Sequence, residues 1–373
     1  MHHQEVRHDP AREHRKAGCG GARRARVHEH RRDHRQGDRI RRAGRPRGHR
    51  PTGLPGDVRA GYPYWIECYP PLQQVAANAE YTDASIEVPG PEAARVQAAC
   101  ARAGVEVVLG ISERLKGTRT CFNSQVYIDA DGSLLGVHRK LQPTYAERIV
   151  WGQGGGATLS VFDSRSGRVG GLACWEHTMN LARQALIEQD QQIHAAAWPV
   201  LSTMAGFETV ADAQIEAMMK THALTAQVFV VCAANPVDDT CLNWMRDNLG
   251  EQNFVTAGGG GSAVIHPFNS FLGGPHTGEE EKLVTATVDF SDVRVVKAWV
   301  DSKGHYARPE VLRLGVDRKP LWHDEREAEP GRTRTSADVA AVVAPEIPGA
   351  LPQGAAIPAP QEWDASAQRE LTS

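Results

Sequence analysis

Apolar and polar positions along this chain follow two periods, and the period changes at short polar breaks. Residues 91–104 ("PEAARVQAACARAG") carry apolar positions at helical spacing and predict an amphipathic helix. The next stretch, "VEVVLGIS" at 105–112, is continuously apolar and predicts a buried strand. "CFNSQVYIDADGSLLGVHRK" reads as two strands around a turn built on Asp129, Asp131 and Gly132. "QQIHAAAWP" and "AQVFVVCAAN" are two further buried strands, each reached from a helix. "GGGGSAVIHPFNSFLGGP" predicts a second hairpin with Asn269 and Ser270 near its turn, and "KLVTATVDF" closes the series. Hairpins mixed with helix crossovers predict packed sheets with helices outside, not a plain doubly wound sheet.

One junction carries chemistry. In "RVGGLACWEHTMN", residues 168–173 read as a short buried strand. From Thr178 onward, Met179, Ala182, Leu186 and Ile193 recur at helical spacing, with Thr178 as N-cap. Cys174 therefore falls on a strand-to-helix turn near the positive end of a helix dipole. Such a position is expected to lower the thiol pKa and to present the sulfur as a nucleophile. Two more stretches end strands with charged groups: Glu113 in "GISERLKGTRTCFNS" and Lys140 in "HRKLQPTYAER". An ammonium beside a thiol stabilises developing negative charge, and a carboxylate can relay protons. Glu113, Lys140 and Cys174 are thus the expected catalytic set.

Composition narrows the class. The chain has 373 residues and is 41% hydrophobic, enough for a sizeable α/β core. Its seven cysteines show no CxxC spacing, so neither a disulfide framework nor a zinc knuckle is predicted. No apolar run reaches membrane-span length and no secretory h-region opens the chain, so a cytoplasmic protein is expected. The glycine run at 258–261 lacks both the GxGxxG context and a Walker lysine, and reads as a loop. The net charge of -3 hides an asymmetry: residues 1–50 hold 15 Arg, one Lys and eight His against six acids. That segment has no Leu before Leu54 and no Phe, Tyr or Trp before Tyr62, so it cannot bury a core of its own. Without interleaved aromatics or a binding fold, it is not read as a nucleic-acid arm. The expected organisation is an Arg/His-rich segment at 1–60 outside the native fold, a folded unit at 61–318, and an Ala/Pro-rich disordered tail at 319–373.

Several motifs over 61–318 occur together: "GYPYW", "SER…FNS", "HRKLQPT…ER", "CWEH", "HAAAWP", "GGGGSAVI" and "GHYARPE". In this combination the chain resembles the nitrilase branch of the carbon-nitrogen hydrolase superfamily. The resemblance implies a four-layer αββα sandwich, a Glu-Lys-Cys catalytic set, and no metal or organic cofactor. It also implies homo-oligomers built from dimers, sometimes filaments, and a small-molecule nitrile as partner, with no nucleic acid or membrane. By the same resemblance Cys174 attacks the nitrile carbon, Lys140 stabilises charge and protonates nitrogen, and Glu113 supports Lys140. The Trp175 N–H contributes to an oxyanion site, and Trp198 and Pro199 shape the pocket. Glu176, His177 and His305 are expected to make structural hydrogen bonds. "CWEH", "HAAAWP" and "GHYARPE" resemble arylacetonitrile-type enzymes; a cyanide-hydrating enzyme, an amidase or an inactive scaffold are the alternatives.

The resemblance fails at one place. The family's general base is a glutamate in Pro-Glu-Thr-Phe-Val-Pro-Gly-Tyr-Pro, whereas this chain reads "LPGDVRAGYPYW", with Gly56 at that position. Glycine accepts no proton, and neighbouring Asp57 would point to the opposite face of a strand. The family's first strand and helix should also precede this point, so they are missing or corrupted here. Residues 55–61 can be encoded CCC GGA GAC GTT CGT GCC GGC. Read one base later, with one base restored in the final C/G run, the same letters encode Pro-Glu-Thr-Phe-Val-Pro-Gly. Residues 1–60 are accordingly expected to be an out-of-frame translation. Resequencing the gene across codons 50–62 should reveal one missing base; an intact reading frame removes the frameshift.

Overall fold

The computed structural model describes residues 61–325 except 279 and 281, together with the backbone of Arg24–His28. Gly56 and the expected frameshift lie outside the described residues.

Strand β1 (Arg24–His28) pairs antiparallel with β11 (Thr285–Asp289) as a two-stranded ribbon. This departs from the expectation that all of 1–60 lies outside the fold. Ladder hydrogen bonds are made by the backbone, so an edge strand accepts an extended partner of almost any sequence. Strands β2 (Val107–Arg114), β3 (Cys121–Ile128) and β4 (Leu134–Arg139) form an antiparallel sheet in the order β2-β3-β4. The turn between β3 and β4 is held by Asp129 and Gly132, as their spacing predicted. The larger sheet contains β5 (Phe162–Ser164), β6 (Gly167–Ala173), β7 (Ile193–Trp198), β8 (Phe229–Ala234), β9 (Ser262–Ile265) and β10 (Phe271–His276). Its order is β10-β9-β8-β7-β6-β5, with β6, β7 and β8 parallel and the outer pairs antiparallel. The β9–β10 turn places Asn269 at φ 76°, a left-handed position that Asn tolerates well.

The two sheets pack face to face. Gln125 on β3 donates to the Ala195 carbonyl on β7 at 3.0 Å, and the Tyr127 ring meets Phe162 at 4.6 Å between centroids. Close approach at this interface requires Gly171, because a Cβ there would stand 2.7 Å from Gln125 Oε1 and 2.9 Å from the Tyr127 hydroxyl on the facing sheet. Helices cover the outer faces. Helix α1 (Val75–Ala84) packs Ala77 and Tyr81 into the core with Trp65 and Trp151, and α2 (Pro91–Ala103) lies on the side of the smaller sheet. Cys100 of α2 packs with Ile111, Val126 and Ile128. Pro91 opens α2, and Gly104 ends it at φ 65° with its N–H on the Cys100 carbonyl, the usual placing of these two residues.

On the other sheet, α3 (Asn180–Ile187) packs Ala182, Ala185 and Leu186 against Leu172. α4 (Ala211–Ala226) brings Ile215, Met219 and Ala223 to Val230, Cys232 and Ile265. α5 (Asp239–Leu249) adds Trp244 and Met245 to the same core, and α6 (Phe290–Trp299) adds Val293 to a smaller cluster around Phe229. The expected helix–sheet–sheet–helix layering is borne out. Among the described residues, no helix is long and apolar enough to cross a membrane.

Two boundaries differ from expectation. The helix after Cys174 starts at Asn180, not at Thr178, and Ile193 belongs to β7. Thr178 closes a 3₁₀ turn over Cys174–Thr178, its hydroxyl donating to the Trp175 carbonyl at 2.8 Å. The folded unit also runs past 318. Arg318 donates to the Leu159 carbonyl at 2.9 Å, and the Trp322 indole donates to the Gln153 carbonyl at 2.8 Å. Asp324 and Glu325 then meet Arg139, which is buried together with Glu113. One guanidinium thus satisfies three carboxylates from two distant parts of the chain. Removing it leaves Glu113 and Glu325 buried and unpaired, so Arg139→Ala should cost about 3–5 kcal/mol in urea unfolding. A loss below about 1 kcal/mol would show that these pairs contribute no more than surface ion pairs do.

Candidate active site

Strand alternation decides which charged groups meet. Successive residues of a strand face opposite sides. On β4, His138 and the following Lys140 face the large sheet, while Arg139 faces outward. On β2, Glu113 faces outward with Ile111. Glu113 therefore does not join Lys140. It receives Arg139 Nη2 at 2.5 Å, Arg139 Nε at 3.0 Å and the Ser124 hydroxyl at 2.6 Å. The expected Glu113–Lys140–Cys174 set is corrected on this point: a one-residue offset puts Glu113 on the wrong face of its sheet.

The carboxylate that does meet Lys140 is Glu147. Lys140 Nζ lies 2.6 Å from Glu147 Oε2 and 3.3 Å from the Thr144 hydroxyl, with both charged side chains about 1% exposed. Glu147 also accepts the Thr144 backbone N–H at 2.7 Å. The detectable signal was the T-x-x-E spacing of Thr144 and Glu147, a capping-box pattern just after Lys140. Burial works against the Lys140 charge, but facing Cys174 and Glu147 outweigh it and hold the ammonium above its ordinary range.

Cys174 follows β6 directly and opens the 3₁₀ turn with φ 55°, a left-handed conformation that costs a non-glycine residue about 1–3 kcal/mol. Its side chain is 2% exposed. The thiol pKa is not lowered as the dipole expectation held. Burial pushes it up to about 12, against the opposing pull of Lys140 and of the Trp175 backbone N–H. A five-residue 3₁₀ turn supplies too little aligned dipole to offset that desolvation. Cys174 therefore rests as a neutral thiol next to an ammonium–carboxylate pair.

Glu176 holds this turn to the rest of the site. Its carboxylate accepts the Ala173 N–H at 2.9 Å, the Leu141 N–H at 2.8 Å and His138 Nε2 at 3.1 Å. Burial alone would raise its pKa, but His138 and the two backbone donors more than compensate and keep it ionised. The structural role expected for Glu176 is what the geometry displays. His177 Nδ1 contacts the Cys174 carbonyl at 2.7 Å, and its ring stacks on Trp198 at 5.2 Å. His305 lies away from the site, 3.3 Å from the Trp299 carbonyl.

The cavity before Cys174 has a volume of about 1220 Å³ and continues into the slot between the sheets. Trp198 and Pro199 line it as expected, joined by Tyr62, Trp151 and Asn123, to which the sequence reading assigned no role. Trp175 packs edge-on against Trp198 at 6.1 Å.

Residues 57–298 match the carbon-nitrogen hydrolase family model. The chain belongs to this carbon-nitrogen hydrolase family. It is 36% identical to an aliphatic nitrilase of Rhodococcus rhodochrous over 69% of this chain and 71% of that protein. It is 34% identical to an arylacetonitrilase of Aspergillus niger over 69% of this chain and 78% of that one. The fold resembles that of the C. elegans NitFhit protein with a TM-score of 0.51 at 16% identity, covering 66% of this chain and 56% of that one.

Within this carbon-nitrogen hydrolase, the two glutamates separate by experiment. Glu147→Gln removes the buried charge facing Lys140 and should lower kcat about 100-fold or more in the frame-restored protein, a magnitude typical of general acid–base groups. Glu113→Gln should mainly lower the unfolding midpoint and leave kcat within about threefold, in the range of a lost structural charge pair. Equal kcat losses from the two variants would reject this division.

Proposed function

We infer that this carbon-nitrogen hydrolase is a nitrilase, converting an organic nitrile and two waters to a carboxylic acid and ammonia. The observation that carries the reading is the buried convergence of Cys174, Lys140 and Glu147 in a chain whose relatives include nitrilases. In the first step, in the frame-restored chain, the thiol passes its proton to the glutamate restored at position 56 and sulfur bonds to the nitrile carbon, one π bond becoming a lone pair on nitrogen. Lys140 supplies a proton to that nitrogen, giving a thioimidate, and Glu147 compensates the charge on Lys140 through the cycle. Water adds to the thioimidate carbon; protonation of nitrogen then expels ammonia and leaves a thioester. A second water releases the acid and returns the thiol. In this reading the Trp175 N–H and Lys140 stabilise anionic tetrahedral species, a role supported by their pull on the Cys174 sulfur.

The high thiol pKa makes a proton acceptor indispensable at the first step. Position 56 is a glycine where the family carries its base, so the chain as written should be nearly inactive and the frame-restored chain active. The aromatic lining of Tyr62, Trp151 and Trp198 favours aryl or arylaliphatic nitriles over small aliphatic ones.

Ammonia release from phenylacetonitrile, compared with phenylacetamide, tests this reading in the frame-restored chain. The nitrile should be the better substrate, and Cys174→Ala should abolish turnover. Preference for the amide would identify an amidase, and full activity in Cys174→Ala would remove the nucleophile.

A further inference from the structure

Behind Cys174, on the face of the large sheet away from the small one, lies a cluster of buried histidines that the chemistry above does not use. His177 comes from the 3₁₀ turn, His194 from β7 and His222 from α4, with Gln191 just before β7; all four side chains are buried. His177 Nε2 lies 2.8 Å from His194 Nε2, and His194 Nδ1 lies 3.0 Å from Gln191 Nε2. His222 Nε2 lies 3.3 Å from Gln191 Oε1.

The direction of every hydrogen bond in this series follows from its first member. The Cys174 carbonyl can only accept, so His177 carries its proton on Nδ1 and its Nε2 is an acceptor. His194 must then donate from Nε2, which leaves its Nδ1 to accept from the Gln191 amide. That orientation turns the Gln191 oxygen toward His222, which donates from Nε2 and leaves Nδ1 as a buried acceptor without a protein partner among the described residues. The chain of donors runs one way, from α4 to the carbonyl of the nucleophile.

We propose that His177 is a positioning residue for Cys174. Its Nδ1–H grips the Cys174 carbonyl and holds the peptide in the left-handed conformation that aims the sulfur, and His194, Gln191 and His222 lock His177 in the required tautomer. The proposal rests on Cys174 being the nucleophile. An isolated neutral histidine side chain prefers the proton on Nε2, so the opposite tautomer at His177 has to be imposed by its surroundings. The chain works only with neutral rings: a charged His177 would point an Nε2–H at the N–H of His194. Burial holds His177 down to about 4 and His194 and His222 well below the ordinary imidazole range. The charged groups bearing on His177 are Glu176, which favours protonation, and Arg183 and Lys140, which oppose it. Stacking on Trp198 fixes the ring plane at 17° to the indole.

Two measurements on the full chain test this. In protein labelled with 15N-histidine, long-range 1H–15N spectra at pH 7 should display His177 as neutral Nδ1–H and His194 and His222 as neutral Nε2–H. Single variants His177→Asn, His194→Gln and His222→Gln assign the signals. The second is alkylation of Cys174 by iodoacetamide, followed by peptide mass mapping. Asn carries an N–H in the place of His Nδ1, so His177→Asn should label within about threefold of the parent, while His177→Phe should label about tenfold more slowly, as small misplacements of reacting groups do. His177 found as Nε2–H or as a cation overturns the proposal, as does equal labelling of the Asn and Phe variants, or a parent no faster than the Phe variant. Neither readout involves nitrile turnover, so failure to hydrolyse nitriles would reject the nitrilase reading and leave this one standing.

Discussion

The arrangement depends on one buried carboxylate. Glu176 accepts hydrogen bonds from the end of β6, from the residue after Lys140, and from His138 on β4. It is a polar rivet between two sheets that are also joined by the Gln125–Ala195 hydrogen bond and by apolar contacts. Those contacts are non-directional and fix a separation between layers, not a register. A fully satisfied carboxylate fixes both, because each donor must lie within about 3 Å along a lone-pair direction. With Ala173 and Leu141 tied to one carboxylate, their neighbours Cys174 and Lys140 face each other across the junction. Charge supports this: Glu176 is kept ionised by His138, whose own charged form is favoured by Glu176 despite burial.

From that constraint the electrostatics of the site follow. A fully buried thiol resists ionisation, and a nearby ammonium reduces that resistance without removing it. The Cys174 thiol is thus held as a neutral group that becomes a thiolate only when a base takes its proton. Lys140 is stored oppositely, charged and paired with Glu147. A buried ion pair is an uncertain source of stability, since desolvation of both partners offsets their attraction. Its value here is positional, keeping an ammonium beside the Cys174 sulfur.

The helix-facing side of the same strands carries a second polar system. β7 alternates Ile193, Ala195 and Ala197 toward the small sheet with His194 and Ala196 toward α3 and α4. Small residues on the inner face leave the cavity open, while the opposite face packs behind Cys174. Arg139 performs a comparable role on the other sheet, where Glu113 and the segment ending at Glu325 converge on it. Both are charged or polar clusters outside the cavity that hold the strands from which Lys140 and Cys174 project.

Much of this was legible in the chain itself. Apolar runs and turn residues marked both hairpins, the buried strands and the layered packing, because strand period and turn chemistry are local properties. The junction of Cys174, Trp175 and Glu176 was visible for the same reason. What local pattern could not supply was the choice between two glutamates. Glu113 and Glu147 both stand near strand ends beside basic residues, and only the parity of β2 and the fold of the Thr144–Glu147 turn put one outside the sheet and the other against Lys140. The thiol pKa was likewise beyond local reading, since it is set by burial under side chains distant in sequence, including Tyr64 and Trp198. The chain alone determined which elements form and which chemistry is available; tertiary packing decided which face each charge occupies and how dry it is. Period is a property of neighbours in sequence, whereas desolvation and pairing are properties of neighbours in space.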